Sequence, residues 1–178
     1  MRLFIGIFLP EEIRKQVEEI QRKLEKSGLF NGKYAELENL HLTLKFLGEV
    51  DEGKLEEIKE ALKQIKSKSF NSSLEGAGLF TPSRPRIVWL HLAGAEELQK
   101  QIDAVMEKEG FKKEERFMSH ITIARVKHIT PIASKKLMEE LKKIKLGKEF
   151  KVNKFSLIKS VLTEKGPEYE VIEEFELS

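Results

Sequence analysis

The sequence predicts a mixed α and β fold built from two similar halves, roughly residues 1–80 and 87–178, joined by an irregular connector at 81–86. Short stretches alternate apolar and polar residues, which is typical of half-buried strands. Between them, apolar residues recur every three or four positions, as on one face of a helix. The same order of elements occurs twice, and 178 residues suit one domain with two small lobes.

The first half is predicted to run strand, helix, strand, helix, strand. Arg2–Phe8 predicts the first strand, and Pro10 stands where proline is tolerated at the start of a helix. Alternation predicts a second strand over Leu40–Phe46. Asp51 is predicted to cap the next helix, and a polar strand is predicted over Phe70–Leu79.

The second half repeats this order. Ile87–Leu92 predicts a strand, Leu98 begins a helical apolar stripe, and His120–Val126 predicts another strand. Thr130 and Pro131 are predicted to be the cap and first residue of a further helix. The tail predicts a hairpin with a somewhat longer loop, from Phe150–Val161 through Lys165-Gly166 to Tyr169–Leu177.

The two halves also match in their residues. The segment 3–13 matches 88–98 in pattern, 85 positions later, which aligns Gly6 with His91. The segment 40–44 matches 119–123, 79 positions later, and both contain His-x-Thr. We interpret this as an internal duplication. Chance similarity between two ordinary strand–helix units is the alternative, and the shared His-x-Thr disfavours it.

Composition excludes several classes of function. Thirty-two Lys and Arg against 30 Asp and Glu give a net charge of +2, too balanced for a general nucleic-acid coat but compatible with a small basic cleft. The absence of cysteine excludes thiol catalysis and thiolate metal sites. The apolar start breaks at Pro10 without a small-residue cleavage site, so we predict a strand there, not a signal peptide, and a cytoplasmic protein.

The two His-x-Thr stretches are the main candidate for chemistry. Because residues two apart share a face of a strand, His41 lies beside Thr43, and His120 lies beside Thr122. If the halves are related by an approximate two-fold axis, the two pairs face each other across a cleft. One imidazole can then act as base and the other as acid on a phosphate, with hydroxyl groups binding its oxygens.

Two other interpretations of these strands are weighed. A half-exposed strand with a polar face explains one His-x-Thr well, but it explains two at equivalent positions poorly. A metal site is disfavoured because the chain has no cysteine and neither strand carries an acidic residue within its His-x-Thr. No metal is therefore expected.

The remaining histidines have simpler interpretations. His128-Ile129-Thr130 is a third His-x-Thr, but it runs into a proline, and Thr130 is better explained as a helix cap. His91 is aligned with a glycine of the first half, so the duplication assigns it no function. We expect it to be a solvent-facing or edge residue.

Arginine and aromatic residues near the motifs are further candidates. Arg125 could clamp a phosphate, although its odd spacing from His120 directs it to the opposite face of a regular strand. Arg84 and Arg86 are expected to belong to a charged connector or to line the cleft. Two aromatic residues could stack a base, with core packing or surface coverage the favoured alternatives, namely Tyr34 and Phe46.

The segments Asn39–Val50 and His120–Arg125 resemble the two signatures of the 2H phosphoesterases. The branch most similar is that of the RNA 2′,3′-cyclic phosphodiesterases, also called 2′-5′ RNA ligases. Arg2–Ile7 and Arg84–Leu90 fit the same family, so the resemblance covers nearly the whole chain. It implies a single bilobal α+β domain in which two antiparallel-rich sheets form a central cleft with helices outside.

The resemblance also implies a reaction. An RNA end carrying a 2′,3′-cyclic phosphate is opened to a 2′-phosphate, with no metal and no cofactor. His41 would protonate the departing O3′, and His120 would activate the water. Thr43, Thr122 and Arg125 would bind the phosphate oxygens.

Three alternatives stay open at this point. The same site could join RNA ends through a 2′-5′ bond, with a 5′-hydroxyl in place of water. It could act on a small nucleotide such as an ADP-ribose cyclic phosphate. The chain could also be a non-catalytic module that binds RNA ends or nucleotides. A monomer is expected, because the duplicated halves already supply the pairing that a dimer would provide.

Overall fold

The computed structural model describes residues 1–80 and 86–178. The strands are β1 (Arg2–Phe8), β2 (Asn31–Tyr34), β3 (His41–Glu49), β4 (Phe70–Phe80), β5 (Ile87–Ala93), β6 (His120–His128), β7 (Glu149–Val152), β8 (Lys154–Thr163) and β9 (Gly166–Glu176). The helices are α1 (Glu11–Ser27), α2 (Leu55–Lys63), α3 (Glu96–Lys108) and α4 (Pro131–Lys142). Across these two ranges, no helix is long and apolar enough to cross a membrane.

The strands form two antiparallel sheets, in the orders β3-β1-β8-β9 and β2-β6-β5-β4-β7. The predicted α+β class with antiparallel sheets is thereby confirmed. Helix α1 packs against β6, and α3 packs against β3. Each of these helices therefore lies on the strand that carries the His-x-Thr of the other half.

Each sheet combines strands from both halves of the sequence. Strands β8 and β9 join β1 and β3 in the four-stranded sheet, while β2 and β4 join the five-stranded sheet. The orders β3-β1-β8-β9 and β6-β5-β4-β7 correspond one to one, with β2 added beside β6. The connector links β4 to β5, which are hydrogen-bonded neighbours in one sheet, so it does not separate two sheets.

The apolar stripes predicted from the sequence form the core. On α1, the predicted stripe is buried throughout, comprising Ile13, Val17, Ile20 and Leu24. The helix ends at Gly28, whose φ of 64° lies in the left-handed region that favours glycine. On β3, Leu42 and Leu44 are buried while His41 and Thr43 face the other way.

Three local predictions have different outcomes. Thr130 caps α4 as predicted, since the Ala133 amide donates to its hydroxyl oxygen at 3.1 Å. The prediction for Asp51 was wrong: a short 3₁₀ turn follows it, α2 begins only at Leu55, and the Asp51 side chain makes no cap hydrogen bond. Helix α2 begins later than predicted because the hydrogen bonds of the 3₁₀ turn already satisfy the first backbone groups.

The C-terminal hairpin also differs from the prediction. Thr163 pairs with Gly166, which leaves a two-residue turn in place of a longer loop. Gly166 has φ of 122°, a conformation that side-chain-bearing residues rarely adopt. The predicted strand from Phe150 is divided near Asn153, and its first part is β7 of the other sheet.

The strand pairing corrects the alignment of the repeat. Phe8 is the partner of His41, and His91 is the partner of His120. The residue that corresponds to His91 is therefore Phe8, at an offset of 83, and the predicted match to Gly6 was wrong by two positions. The sequence comparison missed this two-residue shift because two residues can be added or removed at the end of a helix without changing the apolar pattern.

Candidate active site

The two His-x-Thr strands lie at one cleft. His41, His120 and Thr122 line a cavity of about 400 Å³, which Arg125 also lines. Thr43 is connected to this group by a hydrogen bond to His41. The predicted site residues are thus brought together although 79 positions separate the two motifs.

Both motif histidines are held in the same tautomer. The Nδ1–H of His41 donates to the Asn39 carbonyl at 2.7 Å, and that of His120 donates to the Met118 carbonyl at 2.8 Å. A carbonyl can only accept, so the proton must reside on Nδ1 in each ring. Nε2 is consequently the atom that can take up or release a proton in both histidines.

The surroundings of His41 favour its neutral form. Its ring lies 4.8 Å from that of Phe4 and 5.1 Å from that of Tyr169, measured between centroids. Burial lowers the pKa of His41, the hydrogen bond to Asn39 opposes this, and a charge on His120 would lower it further. In the neutral ring, Nε2 accepts a hydrogen bond from the Thr43 hydroxyl at 3.0 Å.

His120 has a different aromatic contact. The Phe80 ring approaches it edge-on, at 4.8 Å between centroids and an interplanar angle of 83°. The hydrogen bond that orients its ring lies at the exposed side of the cleft. His120 is therefore fixed in position with more access to solvent than His41.

Arg125 reaches the cavity because β6 contains a β-bulge. Val88 pairs with Ala124 and Trp89 pairs with Thr122, so Ile123 is an extra residue on β6. The bulge reverses the alternation beyond it: Ile123 and Ala124 are both buried, and Arg125 is exposed on the face of Thr122. The orientation expected for a regular strand was wrong for this reason.

Strand β3 has a bulge at the equivalent place. Ile5 pairs with Lys45 and Gly6 pairs with Thr43, which leaves Leu44 as the extra residue. Phe46 then corresponds to Arg125 and turns to the cavity, with 54% of its surface exposed.

The two aromatic candidates both line the cavity, where Tyr34 also packs against the core and Phe46 is exposed. The guanidinium of Arg2 lies over the Phe46 ring at 5.1 Å from its centroid. Tyr34 lines the same cavity, and burial raises its pKa to about 12. Its phenol is therefore protonated at neutral pH and can donate a hydrogen bond.

The other histidines and arginines are placed differently. His91 was expected to be solvent-facing or at an edge. It lies on β5, an interior strand, so the edge alternative was wrong; the side chain is half-buried, and its Nδ1–H donates to the Ser119 carbonyl at 2.9 Å. His128 is exposed at the end of β6. Arg86 is exposed and is not among the residues that line the cavity, and Arg84 lies outside the described residues.

The sequence did not indicate that the β8–β9 hairpin forms part of the site. Tyr169 of β9 packs on His41, and burial raises the pKa of its phenol, while Arg125 and Arg2 oppose this. At the tip, the Asn39 amide donates to the Pro167 carbonyl at 3.1 Å, and the Lys33 ammonium donates to the Lys165 carbonyl. No local signal could reveal these contacts, since more than 120 residues separate the partners.

The arrangement is suited to acid–base chemistry on a phosphate. Two imidazoles line one cavity, and a guanidinium can bind anionic oxygens there. The Thr43 hydroxyl is hydrogen-bonded to His41, and Thr122 lines the cavity together with His120. Fold and site together are those of a two-histidine phosphoesterase.

Comparison with known proteins agrees with this class. The chain matches the LigT-like phosphoesterases over residues 7–89 and 92–169, and it belongs to this family. It is 38% identical over 180 residues to an RNA 2′,3′-cyclic phosphodiesterase of Archaeoglobus fulgidus, covering 99% of this chain and 100% of the relative. It is 40% identical over 184 residues to the protein of that name in Methanocaldococcus jannaschii, covering 98% and 100%.

Solved structures share the fold over the whole chain. A Thermus thermophilus protein superposes with a TM-score of 0.81 at 30% identity, covering 99% of this chain and 98% of the other. Escherichia coli LigT complexed with 3′-AMP superposes with a TM-score of 0.78 at 27% identity, with the same coverage.

Proposed function

We propose that the protein hydrolyses the 2′,3′-cyclic phosphate at an RNA end and leaves a 2′-phosphate. The observation that carries this proposal is the pair of histidines, each with its Nδ1–H bonded to a backbone carbonyl, that line one cavity together with Arg125. Relatives named RNA 2′,3′-cyclic phosphodiesterase support it, as does the binding of 3′-AMP by Escherichia coli LigT.

In the proposed reaction, His120 acts as the general base and His41 as the general acid. Nε2 of His120 takes a proton from water, and the water oxygen bonds to phosphorus. The bond between phosphorus and O3′ breaks, and Nε2–H of His41 gives its proton to O3′. One water is consumed, and the product carries a 2′-phosphate and a 3′-hydroxyl.

The remaining site residues stabilise charge in this scheme. The Arg125 guanidinium binds the non-bridging oxygens, which carry the negative charge as the bond to O3′ breaks. Thr122 donates its hydroxyl hydrogen bond to the same oxygens. Thr43 does so as well once His41 is charged, because the protonated Nε2 no longer accepts from its hydroxyl. Because no step uses a metal ion, EDTA should not alter the rate.

The lowered pKa of His41 has a consequence for the acid step. In the empty cavity burial favours the neutral imidazole, which has no Nε2 proton to give. A phosphate anion bound beside the ring favours the charged form and opposes this effect. Substrate binding therefore shifts His41 toward the charged form that the acid step requires.

An oligoribonucleotide that ends in a 2′,3′-cyclic phosphate tests the proposal. It is incubated in EDTA with the unmodified protein, His41→Ala, His120→Ala and the control His128→Ala, and the terminal phosphate is identified. We expect a 2′-phosphate from the unmodified protein and the control alone. Loss of activity in EDTA, or no opening by the unmodified protein, would refute the proposal.

Two further arms separate the alternatives. Binding of the oligonucleotide by all forms without opening would indicate a binding module. Adding a second oligonucleotide with a 5′-hydroxyl tests for 2′-5′ joining by the same site, in which that hydroxyl takes the place of water. Replacing the RNA with a mononucleoside 2′,3′-cyclic phosphate tests whether a small nucleotide suffices.

A further inference from the structure

One buried amide bonds to two neighbouring backbone segments beside the cavity. Gln21 lies on α1 and is only 8% exposed. Its Nε2 donates to the Ile123 carbonyl and to the Ala35 carbonyl, each at 3.0 Å. Ile123 is the extra residue of the β6 bulge, and Ala35 itself lines the cavity.

The bulge is what directs Arg125 into the cavity. Without the extra residue, Arg125 would alternate to the face of Ile121, which is completely buried. The Ile123 carbonyl accepts from the Ala35 amide at 3.0 Å in addition to Gln21. Both amide hydrogens of Gln21 are therefore donated to backbone carbonyls, one just after β2 and one in the β6 bulge.

Gln99 provides an internal comparison. It lies on α3, the corresponding helix of the second half, and it is also buried, at 5% exposed. Within residues 1–80 and 86–178, its Nε2 has no hydrogen-bond partner. The two glutamines are thus both buried, but the Gln21 amide donates to a bulge residue and the Gln99 amide makes no such hydrogen bond among the described residues.

We infer that Gln21 is a positioning residue of the site, whose amide holds the Ile123 bulge in the form that turns Arg125 toward the phosphate. This rests on the proposed function, in which Arg125 binds the phosphate oxygens. Gln21 contacts neither substrate nor reacting atoms. Its effect must therefore pass through Arg125.

A double-mutant cycle tests this dependence. Gln21→Met keeps the length of the side chain and removes both donors, and Gln99→Met is the matched control. For cyclic phosphate opening, we expect Gln21→Met to lower kcat/KM by about tenfold or more, since small misplacements of binding groups cost up to about 10²-fold. In an Arg125→Met background, the same substitution should cost less than about twofold, because its target is absent.

A second measurement does not depend on turnover. Binding of inorganic phosphate is measured by calorimetry for the unmodified protein and for the Gln21→Met, Gln99→Met and Arg125→Met forms. Gln21→Met should weaken phosphate binding in the same direction as Arg125→Met, and Gln99→Met should not. If Gln21→Met does not fold, Gln21→Asn replaces it, since its amide is one methylene too short to reach both carbonyls.

The outcomes separate the two proposals. Failure of the unmodified protein to open the cyclic phosphate refutes the proposed function, while the calorimetry still tests Gln21. Full activity and phosphate binding in a folded Gln21 variant would overturn the inference. Multiplying effects of the Gln21 and Arg125 substitutions, or an equal loss in Gln99→Met, would overturn it as well.

Discussion

The strands β3 and β6 have the same backbone design but different surroundings. Each carries a histidine whose Nδ1–H donates a hydrogen bond to the carbonyl two residues earlier, and each has a bulge directly after the threonine. His41, however, packs against three aromatic rings, those of Phe4, Phe8 and Tyr169, while His120 makes a T-shaped contact with Phe80. The geometry that the two histidines share thus lies within their own strands, and the difference between their surroundings comes from neighbours on other strands. Such a difference is what the proposed acid and base roles require.

The positions after the two bulges differ even more. In β3 they are Lys45 and Phe46, and in β6 they are Ala124 and Arg125. Lys45 is buried and donates to Asp103 at 2.6 Å, which in turn accepts from the Glu114 amide. The charge of Lys45 on β3 therefore holds α3 and the loop that follows it, whereas the charge of Arg125 on β6 lies at the cavity.

The largest expected effect concerns the two histidines themselves. Replacing His41 or His120 by alanine should lower kcat for cyclic phosphate opening by about 10²–10⁴-fold, since each removes one proton transfer. His128→Ala, at the end of β6, should stay within about twofold. Steady-state kinetics of folded variants give the comparison. A large loss from only one of the two motif substitutions would show that the strands are not functionally paired.

Removing the buried lysine should act on stability. Lys45→Met leaves Asp103 buried without its cation, which typically costs about 3–5 kcal/mol in the free energy of unfolding. The double substitution Lys45→Met and Asp103→Leu should recover much of this loss. Urea unfolding of the three variants measures it. A loss in the double variant as large as in Lys45→Met alone would contradict an ion pair that acts as a unit.

A smaller effect on kcat/KM is expected when the positive charge at position 125 is kept but the shape of the charged group is changed. Arg125→Lys retains the positive charge and loses the planar pair of donors, so kcat/KM should fall by about tenfold. Phe46→Leu, at the equivalent position of β3, should change kcat/KM by only a few-fold. Kinetics at low and moderate salt separate lost charge from lost geometry, because screening weakens charge effects. A larger loss from Phe46→Leu would reverse the assignment of the two positions.

The smallest effect concerns the pH dependence that His41 contributes. Because burial lowers its pKa in the folded protein, the unfolded chain binds more protons as pH falls below the ordinary value of 6.5. The contribution of His41 to stability is therefore present above pH 6.5 and is lost as pH falls through the lowered pKa. NMR titration of the ring should show this pKa, and Tyr169→Ala should raise it by exposing the imidazole. An unchanged value in Tyr169→Ala would exclude burial by that ring as the cause.

The sequence predicted the four helices, most strands and the faces of the motif strands, because alternation and helical periodicity are local properties. It missed β2 (Asn31–Tyr34), which is short and almost entirely exposed. Those patterns located His41, Thr43, His120 and Thr122 correctly on the polar faces of their strands. The bulges could not be predicted from the sequence, because a register shift is defined only relative to a partner strand. For that reason, the spacing in a regular strand placed Arg125 on the wrong face. The contribution of Tyr169 to the site was missed because β9 follows β3 by more than 100 residues.

The exchange of strands between halves also constrains how the chain is made. Strand β1 has β3 on one side and β8 on the other, and β8 is followed by β9, so the sheet that carries His41 needs two strands from the second half. On a ribosome, the first half emerges without half the strands of that sheet, and one edge of β1 stays unpaired until Lys154–Thr163 has been synthesised. Long-range pairing of this kind slows folding. A nascent chain lacking β8 and β9 should therefore be a client of chaperones and have no competent active site.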